Sequence, residues 1–259
     1  MEPVNLVVSD GVARLIFDRP EALNAVDVAT SECLLAHCRA LQQRDDVRVV
    51  VLAGNGRAFM AGGDLAAFST TEDPAGLASA IIRPLHAALE ILAALPVPVI
   101  GSVHGAVAGA GFSLAVGCDL TLAAQDARFC LAYLGIATTI DGGGSWHLVR
   151  QVGLQRAMEL AYTNRSISAD EAAALGLIAR VVPTERLAEE TDLLVARLAA
   201  GPSFAYGGVK RLLREAGNRD YAAQLASEHD QFRACAAGPD FREGVAAFFE
   251  RRRPQFQGR

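Results

Sequence analysis

The sequence contains no CxxC pair, and its cysteines number only five: Cys33, Cys38, Cys118, Cys130 and Cys235. An odd count without paired spacing argues against a disulfide framework or a cysteine-based zinc site. It fits reduced thiols in a cytoplasm. A basic excess is missing too. Formal net charge is −5 and the pI is about 5.6, which argues against a general nucleic-acid binder. Glycine shows no three-residue period, so the chain is not collagen-like. Aromatic residues make up only 6%. The N-terminus, Met1-Glu2-Pro3-Val4-Asn5, lacks the basic region and apolar run of a secretory signal.

Charge is absent from residues 91–118, a run of 28. That length suffices for a membrane span. However, the run holds Pro96, Pro98, His104 and five glycines, a density that breaks helices. It reads instead as a buried strand over 97–103, a tight loop, and a buried helix from about Gly111. No membrane partner is expected.

Hydrophobic residues make up 51%, enough to bury a core. There are 48 alanines beside 24 glycines, so backbones can approach closely. Two alternating runs, 4–9 and 12–17, flank Asp10-Gly11 as a hairpin would. Residues 28–43 are helical in spacing, and 47–53 is a continuous buried-strand run. A helix is expected over 77–95, short strands over 120–124 and 128–132, helix through most of 145–175, and a strand over 177–182. The remainder reads as helix. Strand–helix alternation predicts an α/β core over 1–198, with a helical region over 199–259. That last region holds 10 Lys/Arg against 7 Asp/Glu, ending Arg251-Arg252-Arg253. The arginines read equally as a solvated helix end or as an anion- or partner-binding tail.

Two glycine-rich loops each follow a buried strand. The first is Ala58-Phe59-Met60-Ala61-Gly62-Gly63-Asp64-Leu65. The second runs from His104 and Gly105 through Ala110-Gly111-Phe112 into a helix. Neither is a GxxxxGK[ST] phosphate loop or a full GxGxxG. Both offer bare backbone amides, and the second lies at a helix N-terminus. Facing one another, they would make an oxyanion hole for a carbonyl that develops charge.

With these loops, Arg19-Pro20-Glu21-Ala22-Leu23-Asn24-Ala25, Pro98-Val99, Cys118-Asp119, Thr163-Asn164-Arg165, Gly176-Leu177 and Asp240 to Phe248, the sequence resembles the enoyl-CoA hydratase/isomerase (crotonase) superfamily over nearly its whole length. The resemblance implies a spiral of repeated ββα units and a helical C-terminal trimerisation region. It implies an acyl-CoA thioester as substrate, no resident cofactor, and a homotrimer or a dimer of trimers. It places the hole amides at Gly63 and Ala110, where the family usually has glycine at the second position. Glu21, Ala22, Leu23, Ala61, Gly62, Asp64 and Leu65 would line the CoA moiety, and basic residues near the C-terminus could meet its phosphates.

Hydratases of the superfamily use two glutamates. The corresponding positions here are Ser113 and Tyr133, so two-carboxylate hydration is disfavoured and hydration by an atypical route stays as an alternative. Another acid is present. Ile140-Asp141-Gly142-Gly143-Gly144 resembles the Pro-Asp-Gly-Gly segment of superfamily isomerases, including ring-opening isomerases of phenylacetate breakdown, with Ile140 in place of proline. Moving a double bond needs one base, and Asp141 alone suffices. Its other reading is a helix cap. His86, Tyr133 and Asp141 also resemble the His, Trp and Asp of aromatic acyl-CoA dehalogenases, where Asp attacks the ring and His activates water. Gly63 stands where those enzymes carry a bulky aromatic. On an apolar helix with Leu85, Leu89 and Leu92, a satisfied core or pocket-lining histidine is the commoner reading of His86. A non-catalytic acyl-CoA binder is the alternative of another class.

Phe112 and Trp146 are expected to line the core or an acyl pocket. Cys118 and Cys130 are read as buried inert thiols, His104 as a local hydrogen-bonding residue, and Arg165 and Arg180 as structural. His37, His147 and His229 show no partners at metal-ligand spacing, so no metal site is expected.

Overall fold

The computed structural model describes residues 2–258. Strands β1 (Val4–Ser9) and β2 (Val12–Phe17) pair antiparallel. Asp10 and Gly11 between them have φ of 51° and 76°, as a two-residue hairpin turn with the strands' own twist requires. Helix α1 (Val28–Gln42) starts where the Asp27 carboxylate accepts from the Thr30 amide at 2.8 Å. It buries Leu34, Cys38 and Leu41, one stripe of the helix.

Then come β3 (Val49–Gly54), α2 (Leu65–Thr70), α3 (Pro74–Ala94), β4 (Val99–Val103), β5 (Ala106–Ala108), α4 (Ala110–Gly117), β6 (Leu120–Ala124) and β7 (Arg128–Cys130). After α5 (Gly144–Thr163) follow β8 (Ile167–Ser168), α6 (Ala169–Ala174), β9 (Arg180–Val182), α7 (Leu187–Ala199), α8 (Ser203–Glu215), α9 (Tyr221–Ala237) and α10 (Pro239–Glu250).

The large sheet runs β1-β2-β3-β4-β6-β9 and is parallel from β2 onward. The small sheet runs β5-β7-β8. Each turn of the chain lays one strand into the large sheet, a short strand or bridge into the small one, and then a helix. β3, the Met60–Val107 bridge and α3 form one turn. β4, β5 and α4 form the next, and β6, β7 and α5 the third. This is the expected α/β spiral.

Several boundaries differ from the sequence expectation. The strand expected over 128–132 stops at Cys130, because Ala132 turns left-handed at φ 63°. The helix expected through 145–175 breaks at Gly153 (φ 75°, ψ 163°) and ends at Asn164 (φ 48°). The strand expected from Leu177 starts only at Arg180, after a left-handed turn at Gly176. α7 covers one face of the large sheet, setting Leu187 and Val195 against Val49, Val51, Ile100 and Leu122. α8 is tied back by Lys210 and Arg214, which both pair with Asp119 at 2.9 and 2.7 Å.

Candidate active site

The first loop is held by the segment before it. Asn24 is buried and donates to the Asn55, Ala58 and Phe59 carbonyls, while its Oδ1 accepts from the Arg19 amide. Arg19 pairs with Asp27 and Asp64. The Ala61 amide donates to the Leu23 carbonyl at 3.0 Å, so Glu21–Leu23 and Ala61–Leu65 lie together. These two segments were expected to line one ligand surface, and the fold makes them neighbours.

Val26 forms a parallel bridge with Gly63. In that bridge the Val26 amide donates to the Gly62 carbonyl at 2.8 Å, and the Asp64 amide donates to the Val26 carbonyl at 2.9 Å. The residues flanking Gly63 therefore make the ladder bonds. Gly63's own N–H points away from Val26. Gly63 is exposed, and a Cβ built there would meet nothing within 4 Å.

The second loop lies against the first. The Met60 amide donates to the Ala106 carbonyl at 3.0 Å, and the Ala108 amide to the Met60 carbonyl at 2.9 Å. Gly109 has φ 52°, and a Cβ there would lie 3.2 Å from the Gly62 Cα. Both conditions select glycine. Gly109 caps α4 without a side-chain acceptor. Ala110 is the first residue of that helix, so its N–H has no intrahelical partner, and the helix dipole adds positive character. Gly62 and Gly109 thus bring the Gly63 and Ala110 amides to adjoining loops.

α4 is buried from Ala110 to Val116. Ser113 lies three residues beyond Ala110, ~4.5 Å along the axis. Its hydroxyl donates to the Asp141 carbonyl at 2.8 Å and lies 3.1 Å from the Tyr133 hydroxyl. Tyr133 in turn donates to Asp141 Oδ1 at 2.5 Å. Ala132's left-handed turn starts the short 3-10 turn that carries Tyr133 inward. Burial, and then the neighbouring Asp141 charge, push the Tyr133 pKa well above the usual phenol value. The hydroxyl therefore stays protonated and acts as a donor.

Asp141 does not cap the following helix with its side chain. Gly143 occupies the cap position of α5 without a side-chain bond, and only the Asp141 backbone carbonyl accepts from Gly144. The carboxylate is committed to Tyr133 instead. His86, exposed on α3, reaches the same turn. Its Nε2 accepts from the Gly142 amide at 3.1 Å. A neutral His86 in this arrangement carries its hydrogen on Nδ1.

Beside this turn lies a cavity of about 610 Å³, lined by His86, Leu89, Ser113, Leu114, Gly142 and Trp146 among others. Trp146 stacks under the Arg150 guanidinium at 3.8 Å. Phe112 behaves differently. It is buried edge-on to Phe129 at 6.5 Å, so its ring belongs to the core and does not line this cavity. His147, also at the cavity, is held to a pKa of about 4 by burial, with Arg214 and Arg150 adding to it. Burial pushes the Cys118 thiol up to about 12, so it is unreactive at neutral pH. His104 Nε2 lies 2.9 Å from the Gly56 carbonyl, and Arg165 pairs with Glu159 and Glu171. Of the terminal arginines, Arg252 is tied to Glu243 and Glu250.

Sequence reasoning missed two organising residues. Ser113 was read only as a replaced glutamate, yet it bonds to Asp141. Asn24 was quoted only within a motif, yet it anchors the first loop.

Comparison with known proteins bears directly on this site. Residues 8–259 match the family described as enoyl-CoA hydratase/isomerase. The chain is 38% identical to the 1,2-epoxyphenylacetyl-CoA isomerase of Escherichia coli K12, with 100% of both chains covered. It is 33% identical to 4-chlorobenzoyl coenzyme A dehalogenase-2 of an Arthrobacter species, covering 93% of this chain and 88% of that one. The crystal structure of an enoyl-CoA hydratase from Polaromonas sp. JS666 superposes with a TM-score of 0.93 at 32% identity, covering 98% of this chain and 99% of that one.

Proposed function

The chain belongs to the enoyl-CoA hydratase/isomerase family, and from that premise we propose that it moves a double bond, converting a 3-enoyl-CoA to a 2-enoyl-CoA. Asp141 takes the proton alpha to the thioester. The electron pair moves onto the thioester oxygen, where the Gly63 and Ala110 amides hold the enolate. Asp141 then returns the proton to the gamma carbon, and the conjugated double bond forms. Tyr133 occupies Asp141 Oδ1 and leaves Oδ2 to carry the proton. Coenzyme A enters as part of the substrate, and no resident cofactor is needed.

One observation carries this reading. Asp141 is the carboxylate at the turn, and both positions where the resemblance puts the hydratase glutamates are occupied by side chains, Ser113 and Tyr133, that hold Asp141. Hydration would need a second acid–base group there. Hydrolytic dehalogenation would need a His86 nitrogen free to activate water, and Nε2 is engaged by the Gly142 amide.

We also propose a homotrimer or a dimer of trimers, supported by the apolar residues exposed on α10, and a reducing cytoplasm, supported by five free thiols.

The test is Asp141→Asn assayed on a panel of 3-enoyl-, 2-enoyl- and aromatic acyl-CoAs with product identification. Loss of ~10²–10⁴ in turnover of a 3-enoyl-CoA is expected. Unchanged turnover removes Asp141 from the reaction. A wild-type product heavier by one water makes the enzyme a hydratase. Tight binding without turnover across the panel makes it an acyl-CoA binder.

A further inference from the structure

Cys33 and His37 stand four residues apart on α1 and share one face of it. Both reach the same backbone oxygen at the start of β1. Cys33 Sγ donates to the Val4 carbonyl at 3.4 Å, and His37 Nε2 lies 2.9 Å from it. Sγ and Nε2 are 3.5 Å apart. A Glu2 carboxylate oxygen lies 3.7 Å from Nε2. The thiol, imidazole and carboxylate atoms all fall within 4.8 Å of one another.

We propose that Glu2, Cys33 and His37, with the Val4 carbonyl, form a tetrahedral site for a thiophilic divalent cation of the zinc class. The separations argue for it. With Zn–S ~2.3 Å and Zn–N ~2.0 Å, tetrahedral sulfur and nitrogen ligands stand ~3.5 Å apart. Cys33 and His37 already keep that spacing. Val4 to Cys33, at 3.4 Å, also matches a sulfur–oxygen pair. Two nitrogen–oxygen ligands should stand ~3.3 Å apart. The Val4 and Glu2 oxygens, at 2.9 and 3.7 Å from Nε2, lie on either side of that value. The Glu2 carboxylate closes the fourth corner by moving inward, and being exposed it is free to do so.

The charges balance as well. The thiolate and carboxylate together neutralise a divalent ion. On binding, Cys33 releases its thiol proton to water. His37 binds through Nε2 as a neutral imidazole, with its hydrogen on Nδ1. The bonds that both side chains made to the Val4 oxygen are replaced by bonds to the cation. The ion clips β1 to α1 across 29 residues of chain, which favours the folded state when it binds. No metal site was expected at His37 from the sequence, although Cys33 stands one helical turn before it. What the sequence hid was the return of Glu2 and Val4 to that helix face.

The experiment uses the full chain, stripped with chelator and titrated with Co²⁺. A thiolate-to-cobalt charge-transfer band with tetrahedral d–d absorption, saturating at one equivalent and bleached by Zn²⁺, is expected. Cys33→Ser should abolish the charge-transfer band. His37→Gln can keep a hydrogen bond to Val4 and so guards against misfolding. It should weaken binding by more than the ~10–100-fold of an outer-shell change. Glu2→Gln should weaken binding with unchanged circular dichroism, and Cys235→Ser should leave the titration as it was. Absence of the band in the wild type overturns the proposal, as does a band that survives Cys33→Ser. None of these residues takes part in the proposed isomerisation, so either idea can fail alone.

Discussion

In the proposed reaction Tyr133 acts only through Asp141, and that makes its contribution separable from packing. Its hydroxyl is the donor held 2.5 Å from Oδ1, and burial keeps it protonated. A hydrogen bond to a charged group contributes about 1.5–3 kcal/mol. Tyr133→Phe keeps the ring and removes the bond. It should lower kcat on a 3-enoyl-CoA by ~10–100-fold and leave KM nearly unchanged, because the thioester still meets the Gly63 and Ala110 amides. A rise in KM with kcat intact would place Tyr133 in substrate binding instead. Asp141, Tyr133 and His86 were named from the sequence because motif resemblance marks reacting positions. Ser113's bond to Asp141 was not legible. It joins residues 28 apart through one hydroxyl and leaves no spacing pattern. For Phe112 both core and acyl pocket stayed open, because an aromatic beside a glycine-rich loop looks the same in sequence whether it faces a ligand or, as here, Phe129.

Elements were legible where they bury a stripe or a run, and illegible where backbone sign decides. α1, β3 and α4 follow from apolar spacing. β5 is three residues inside a glycine loop, too short to read as a strand, and α2 is only six residues long. The breaks at Ala132, Gly153 and Asn164 depend on left-handed residues, two of them not glycine. Close approach of the two loops gives an element-scale prediction. A Cβ at Gly111 would lie 2.4 Å from the Met60 carbonyl oxygen, whereas one at Gly63 meets nothing within 4 Å. Gly111→Ala should therefore cost about 1–3 kcal/mol and lower Tm by several degrees, while Gly63→Ala should melt near the wild type. Equal melting of the two variants would mean that the loops part easily. The α4–α5 contact is expected to be pH-sensitive. His147 approaches Gly117 and has a folded pKa of about 4, below its unfolded value of ~6.5. Between those values the unfolded chain binds a proton that the folded chain does not. Stability from this group is full above ~6.5 and falls as the pH drops toward 4. His147→Gln should reduce the loss of urea stability between about pH 7.5 and about pH 5 by roughly 1 kcal/mol, allowing for partial exposure. Parallel pH profiles for the two proteins would show that His147 is charged in the fold.

At the scale of the whole molecule, the C-terminal helices raise the question of what covers them. Phe248 and Phe249 on α10 are each 78% exposed, and Phe232 on α9 is 67% exposed. Beside them a groove of about 400 Å³ runs between the start of α8 and α10, lined by Phe204, Phe241, Val245 and Phe256. Contiguous aromatic surface of this kind marks an interaction site in a soluble chain. The sequence marked 199–259 as helical and basic, but gave no sign that its aromatics would cluster outward, since that depends on how three helices splay. The proposed trimer would bury this face. Phe248→Glu combined with Phe249→Glu adds two charges at exposed positions, where folding tolerates them and an apolar interface does not. The wild type should sediment as a trimer or hexamer across a broad concentration range, and the double variant as a monomer with unchanged circular dichroism. A wild type that sediments as a monomer removes the trimer. A variant that keeps the wild-type mass places the interface on another face, and the α10 aromatics then need a different partner.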